Sequence, residues 1–214
     1  SMIPSPTAAL FDMDGTLVHN MEFHRLSFFR FLENHAIPVT KAEYEAKNKG
    51  TITEIIPRFF GDHLTAEQIA ALGEEKEALY RDMYAPHLRA IDGLHDFLES
   101  VKRRNIPMAL ATMGDQHNIR FTLNGLNISQ YFDATVGGEE VTNGKPHPEV
   151  FQRAAAKLGV PPEDCAAFED SHSGIAAALA AGMKTVGVAS THTPDELAVY
   201  PLWRIISDYR EIWF

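Results

Sequence analysis

The chain has 214 residues, 45% of them hydrophobic and 22% charged, an ordinary globular mix with room for one large domain or a core plus a smaller insert. Nineteen basic against 29 acidic side chains give a formal charge of −10, which argues against nucleic acid or anionic membrane as the main partner yet permits an anionic substrate at a locally positive site. The single cysteine, Cys165, excludes an intrachain disulfide, and no run approaches the ~20 apolar residues of a membrane span.

Those features, with no basic-then-apolar secretory pattern at the start, lead us to expect a cytoplasmic protein, monomeric by default. Ser1 before Met2 reads as a cloning remnant. No internal repeat or low-complexity segment stands out.

In chain order, the apolar run at 8–11 closes on FDMDGT, residues 11–16. An apolar run ending in acids and glycine predicts a buried strand that stops at a polar site. From about Asn20 to Pro86 there is no strand signal. Phe23, Leu26, Phe29, Phe31 and Leu32 predict one helix, and Ile69, Leu72, Leu79 and Met83 another, with Pro57 and Gly61 as interruptions. The Phe-rich run at 28–32 reads as the core of this segment. A helix follows at 92–104, carrying Leu94, Phe97, Leu98 and Val101. Strands are predicted at 108–111, 134–136, 166–168 and 185–188, and helices at 147–158 and 173–181. Alternating strands and helices predict an α/β fold, a Rossmann-like parallel sheet covered on both faces. The core would be 1–19 with 87–214. Residues 20–86 would form a helical insert after the first strand, joined near 17–20 and 86–92, and would cap the carboxyl ends of the strands.

Polar clusters end the other strands. The second gives Thr112 in ALATMGD, the loop after the third gives Lys145 in NGKPHPEVF, and the fourth gives Glu169 and Asp170 in AFEDSHSG. In a parallel sheet these converge with Asp12 and Asp14 on one edge. Two buried carboxylates need compensation and invite a hard divalent cation, with Mg²⁺ the natural choice beside phosphate. A carboxylate attacking a phosphate dianion meets charge repulsion that such an ion and a lysine reduce. A threonine hydroxyl donates to a phosphate oxygen. Asp12 as nucleophile would split one hard step into two. Strand periodicity puts Asp14 on the side of Asp12, suited to proton transfer.

With these motifs in this order, nearly the whole chain resembles the haloacid dehalogenase (HAD) superfamily, in the subgroup whose helical cap follows the first strand. It is similar there to sugar-phosphate phosphatases and to beta-phosphoglucomutase. The resemblance implies Asp12 as nucleophile and Asp14 as acid/base. It implies Mg²⁺ held by the side chains of Asp12 and Asp170 and the backbone carbonyl of Asp14, with Glu169 supporting, and a phosphoryl group bound by Thr112 and Lys145. It places His24, Lys49 and Lys76 among cap residues that face substrate, although a solvated or internally satisfied role is the competing reading for each. Mutase-like members carry a cap arginine soon after the Lys49-Gly50 pair. Here Thr51-Ile52-Thr53 stands there, and Arg58 lies further along. Asp115, close after Thr112, is expected to repel a phosphate mildly. Both departures favour a monophosphate phosphatase.

The expected function is therefore Mg²⁺-dependent hydrolysis of a small phosphorylated metabolite, a phosphosugar, through an aspartyl-phosphate. A beta-phosphoglucomutase-like mutase is the alternative. A metal-free dehalogenase is disfavoured by Asp14 and Asp170, and a non-catalytic binding module by the intact polar set. Ten histidines without ligand-like spacing do not predict a zinc site. Cys165 reads as a small, unreactive core residue.

Overall fold

The computed structural model describes residues 4–214, so Ser1 and Met2 lie outside the described residues. Six short strands, β1 (Ala8–Phe11), β2 (Met108–Ala111), β3 (Ala134–Val136), β4 (Cys165–Glu169), β5 (Lys184–Val188) and β6 (Arg204–Ile206), form one sheet in the order β3-β2-β1-β4-β5-β6. Every neighbouring pair is parallel. Nine α-helices occur among the described residues: α1 (Met21–Asn34), α2 (Lys41–Lys47), α3 (Ile52–Phe60), α4 (Ala66–Tyr84), α5 (Leu94–Arg103), α6 (Gln116–Gly125), α7 (Glu149–Leu158), α8 (His172–Ala180) and α9 (Pro194–Leu197).

The chain divides into two compact units, Ser1–His19 with Leu88–Phe214, and Asn20–His87. In the first, register explains the two faces of the sheet. Leu10 lies opposite Ala109 and Ala167, and Phe11 opposite Leu110 and Phe168. Successive side chains point to opposite faces. Ala8, Leu10, Ala109, Ala111, Cys165 and Ala167 therefore share one face, under Val150, Phe151 and Ala154 of α7 and Ala177 and Ala178 of α8. The alanines leave room for the helices to approach closely. The other face is aromatic: Phe11 stacks on Phe168 with centroids 4.6 Å apart, and Phe97 of α5 and Tyr209 pack against both rings.

The second unit is all helical. Phe28, Phe31 and Leu32 of α1, Tyr44 of α2, and Ile55, Ile56 and Phe59 of α3 form its core, with Ile69, Leu72 and Leu79 of α4 packed against them. Helix α4 starts at a reciprocal cap in which Thr65 accepts from the Gln68 N–H and Gln68 accepts from the Thr65 N–H. The structure corrects the reading of Pro57 as an interruption. It sits inside α3, which ends at Gly61 with φ 100°. Burial of Ile55, Ile56 and Phe59 outweighs the one missing N–H.

Besides the short helices α2, α3 and α9, β6 and α6 were not anticipated. Strand β6 is only Arg204-Ile205-Ile206 at the sheet edge, too short to show a period. Helix α6 buries Asn118 and Thr122 beside Ile119 and Leu123, so its inner face has no continuous apolar stripe. No helix among the described residues is long and apolar enough to cross a membrane.

Phe31 is fully buried, so Phe31→Ala is expected to cost about 3–5 kcal/mol in urea denaturation, with tryptophan fluorescence and far-ultraviolet circular dichroism following the loss. Cys165 is fully buried and burial pushes its thiol up to about 11. Ellman's reagent is expected to leave the native protein unlabelled and to titrate one thiol per chain in denaturant.

Candidate active site

In a sheet of this order, the chain runs outward in opposite directions from β1 and β4, and the crevice at their carboxyl ends is the natural ligand site. That crevice holds the polar cluster. Asp12 follows β1 directly, Glu169 ends β4 and Asp170 comes next. All three side chains are buried, and each offers a carboxylate oxygen within 4.8 Å of the others.

Lys145 comes from the loop between β3 and α7. That loop is folded back by Glu149, whose carboxylate accepts from the N–H groups of Thr142 (2.9 Å) and Asn143 (3.1 Å) and from Arg153 (2.8 Å). The Thr142 N–H and Arg153 hold the Glu149 carboxyl low, at about 2. The Lys145 ammonium then spends its three hydrogens on Asp12 Oδ1 (2.9 Å), Glu169 Oε2 (2.5 Å) and the Ala111 carbonyl (3.1 Å). Burial would lower its pKa, but the Asp12 and Glu169 charges outweigh that and hold the ammonium protonated.

One ammonium faces three carboxyl groups, more than it can balance once all three are ionised. Burial, then the Asp12 charge, pushes the Glu169 carboxyl up to about 8 despite Lys145. Burial, then Asp12 and Glu169, raises Asp170 as well. Two glycines make the close packing possible. A Cβ at Gly15, where φ is +76°, would collide with the Asp170 carboxylate, and a Cβ at Gly174 would collide with Glu169.

Several residues that sequence reasoning missed hold the acids in place. The Thr16 hydroxyl lies 3.1 Å from both Asp12 Oδ2 and Asp170 Oδ1 and bridges them. Thr191, after β5, donates to Asp170, and Ser190 donates to the Gly15 carbonyl. Tyr209 donates to the Thr16 carbonyl at 2.7 Å. Thr16 was visible as the last residue of FDMDGT, and Ser190-Thr191 as a polar pair at a strand end. Tyr209 had no local signal.

Thr112 is buried directly after β2, and its Oγ1 accepts from the Gly114 N–H at 3.0 Å. Asp14 is half-buried and lies outside the three-carboxylate group. Because β1 ends at Phe11, strand periodicity does not carry to it; it forms a bridge with Val18 in the turn that follows. Asp115 has a structural role as well. Its carboxylate caps α6 by accepting from the Asn118 N–H at 2.8 Å.

The three remaining candidates belong to the helical unit. The His24 ring lies flat on Tyr80, centroids 3.8 Å apart, and Asn20 donates to the Tyr80 hydroxyl at 2.7 Å. Lys76 is buried, 2.7 Å from Glu77 and 5.5 Å from the Phe28 ring centroid. Lys49 is exposed, and its carbonyl accepts from Arg58. Arg58 also donates to the Lys47 carbonyl at 2.9 Å and pairs with Glu54 at 3.5 Å.

The donor set fits a hard divalent cation. It is made of carboxyl oxygens, it is buried, and its three acids outnumber the single charge of Lys145. The ion would be held by Asp12 and Asp170, with Glu169 beside them.

Comparison with known proteins gives the same assignment of the chain. It is 31% identical over 197 residues to validoxylamine A 7'-phosphate phosphatase of Streptomyces hygroscopicus subsp. limoneus, covering 89% of each protein. It is 33% identical over 189 residues to beta-phosphoglucomutase of Bacillus subtilis, covering 85% of this chain and 82% of that one. A solved HAD hydrolase of family IA, variant 3, from Entamoeba histolytica superposes with a TM-score of 0.87 at 30% identity, over 97% of this chain and 95% of that one. The profile of the haloacid dehalogenase-like hydrolases matches residues 9–188, from β1 through β5, so the strand ends that build the acidic cluster all fall within it, and the chain belongs to that family.

Proposed function

We propose that the protein hydrolyses a small phosphate monoester, a phosphosugar, with Mg²⁺ and through an aspartyl-phosphate on Asp12. The observation that carries this reading is the Lys145 ammonium clamped between Asp12 and Glu169 in a buried cluster with more carboxyl groups than one cation can balance. Such a cluster suits a site that must accept a cation and a phosphate together.

Asp12 is the nucleophile. Thr16 and Lys145 hold its two oxygens, so its rotamer is set before substrate arrives. Lys145 offsets the charge of the incoming phosphate. The Gly114 N–H on Thr112 Oγ1 orients that hydroxyl, whose own hydrogen serves a phosphate oxygen. Asp14 protonates the leaving oxygen and then activates water, and its carbonyl would help Asp12 and Asp170 hold the ion. Mg²⁺ would supply charge neutralisation between the attacking carboxylate and the phosphate. In the helical unit, Lys49 and His24 are candidates for contacting the sugar. Lys76 is a weaker one, since Glu77 and the Phe28 ring engage its ammonium.

The mutase reading is disfavoured by one observation. The guanidinium nearest in sequence to where a mutase would hold a second phosphate, that of Arg58, is tied to the Lys47 and Lys49 carbonyls and to Glu54. The similarity to a named phosphate-ester phosphatase also supports hydrolysis.

The decisive measurement is a panel of phosphorylated metabolites with Mg²⁺, scoring free phosphate and isomerised product separately. Free phosphate at each turnover is expected; isomer without phosphate would establish the mutase. Asp12→Asn is expected to lower kcat by about a thousandfold or more with the fold intact, and retained activity would overturn the nucleophile assignment.

A second measurement needs no substrate. Carboxyls with raised pKa take up protons more readily folded than unfolded, so the metal-free protein is expected to lose stability as pH rises from 4.5 toward about 8, the span of the Glu169 shift. A cation replaces those protons. The rise in Tm on adding Mg²⁺ is expected to be small at the acid end of that span and largest at the alkaline end, and a rise independent of pH would count against these ligands.

A further inference from the structure

A second group of ligand-bearing side chains stands on the α/β unit, outside the acidic cluster. His172 is the first residue of α8, His192 lies between β5 and α9, and Glu196 is in α9. Each offers a ligand atom within 4.8 Å of the other two. The imidazole centroids are 4.4 Å apart, and His192 Nδ1 is 3.0 Å from Glu196 Oε2.

The chemistry of this set differs from that of the first. Two imidazoles and one carboxylate are borderline donors that suit zinc and its neighbours, whereas a magnesium site uses oxygen alone. Ligands 2.0–2.2 Å from a tetrahedral zinc stand roughly 3.4 Å apart. The His192–Glu196 separation of 3.0 Å lies close to that, and all three ligands are carried on side chains that are exposed or half-buried. A proton shared between His192 and Glu196 occupies the position that a cation would take.

The surroundings fix the ligands much as metal sites are fixed. His172 Nδ1 is 2.7 Å from the Tyr200 hydroxyl, an oxygen partner that sets the orientation of the ring. Glu196 is positioned by the cap of α9, its Oε1 accepting from Thr193, while Thr193 accepts from the Glu196 N–H. Pro194 at the first turn stiffens that cap. Both segments also bear on the acidic cluster. Asp170 is two residues before His172, and Thr191, adjacent to His192, donates to Asp170.

We propose that His172, His192 and Glu196 form a second metal site, for Zn²⁺, which ties the start of α8 to the segment after β5 at the margin of the acidic cluster. The sequence hides it because His172 lies a helix and a strand away from the other two ligands, and the four-residue spacing of His192 and Glu196 is ordinary on its own.

The test is calorimetric titration of the full chain with Zn²⁺ in saturating Mg²⁺, so that the acidic cluster is already occupied. Wild type is expected to take up one Zn²⁺ per chain. His172→Ala and His192→Gln are each expected to weaken that binding by about tenfold or more while leaving the Mg²⁺-dependent rise in Tm unchanged. His192→Gln keeps a donor for Glu196 and so tests the ligand without removing the hydrogen bond. No Zn²⁺ uptake by wild type, or equal affinity in both variants, overturns the site.

Discussion

One buried ammonium holds this site together. Lys145 reaches in from its loop to touch Asp12 after β1, Glu169 at the end of β4 and the last carbonyl of β2. An unpaired ionised carboxylate is costly to bury, and a buried acid that lacks a cation holds a proton instead. Lys145 balances one of the three acids, and the other two must hold protons or share a cation.

The rest of the α/β unit serves that arrangement. Alanines on one face of β1, β2 and β4 bring α7 and α8 close, so the loop with Lys145 and the turn with Asp170 arrive over the same crevice. Gly15 and Gly174 remove the side chains that would collide with Asp170 and Glu169. Hydroxyls then finish the alignment. Thr16 ties Asp12 to Asp170, Thr191 holds Asp170 from the far strand, and Tyr209 anchors Thr16 through its carbonyl. The site is thus fixed by residues from β1, β4, β5 and the last turn of the chain, and a shift in one is felt by all.

The helical unit follows a different logic. Its core is aromatic and aliphatic, and several of its polar groups are engaged within it. Tyr80 carries both the His24 ring and the Asn20 amide, Lys76 is paired with Glu77, and Arg58 pins the carbonyls between α2 and α3. A positive side chain read along a sequence does not reveal whether its charge is already used. Lys76 and Arg58 show the point, since the first looked like a ligand contact and the second like a displaced one.

Features set by local chemistry were legible from the residues alone. The short apolar runs ending in acid, threonine or glycine marked β1, β2 and β4 and named Asp12, Thr112, Glu169 and Asp170, because a parallel strand is buried along its length and polar only where it stops. The α/β architecture followed from the alternation of strand and helix. Features that depend on distant chain segments meeting were not legible. Thr191 and Tyr209 support the acids only because β5 and the last turn return beside β1 and β4. Pro57 stays helical because of what packs on its neighbours, and α6 escaped notice because packing accepts Asn118 and Thr122 on its inner face. His192 and Glu196 stand four residues apart, but nothing in the sequence links them to His172. They become neighbours because α8 and β5 fold the chain back on itself, and ligand geometry is a matter of distance in space rather than separation in sequence.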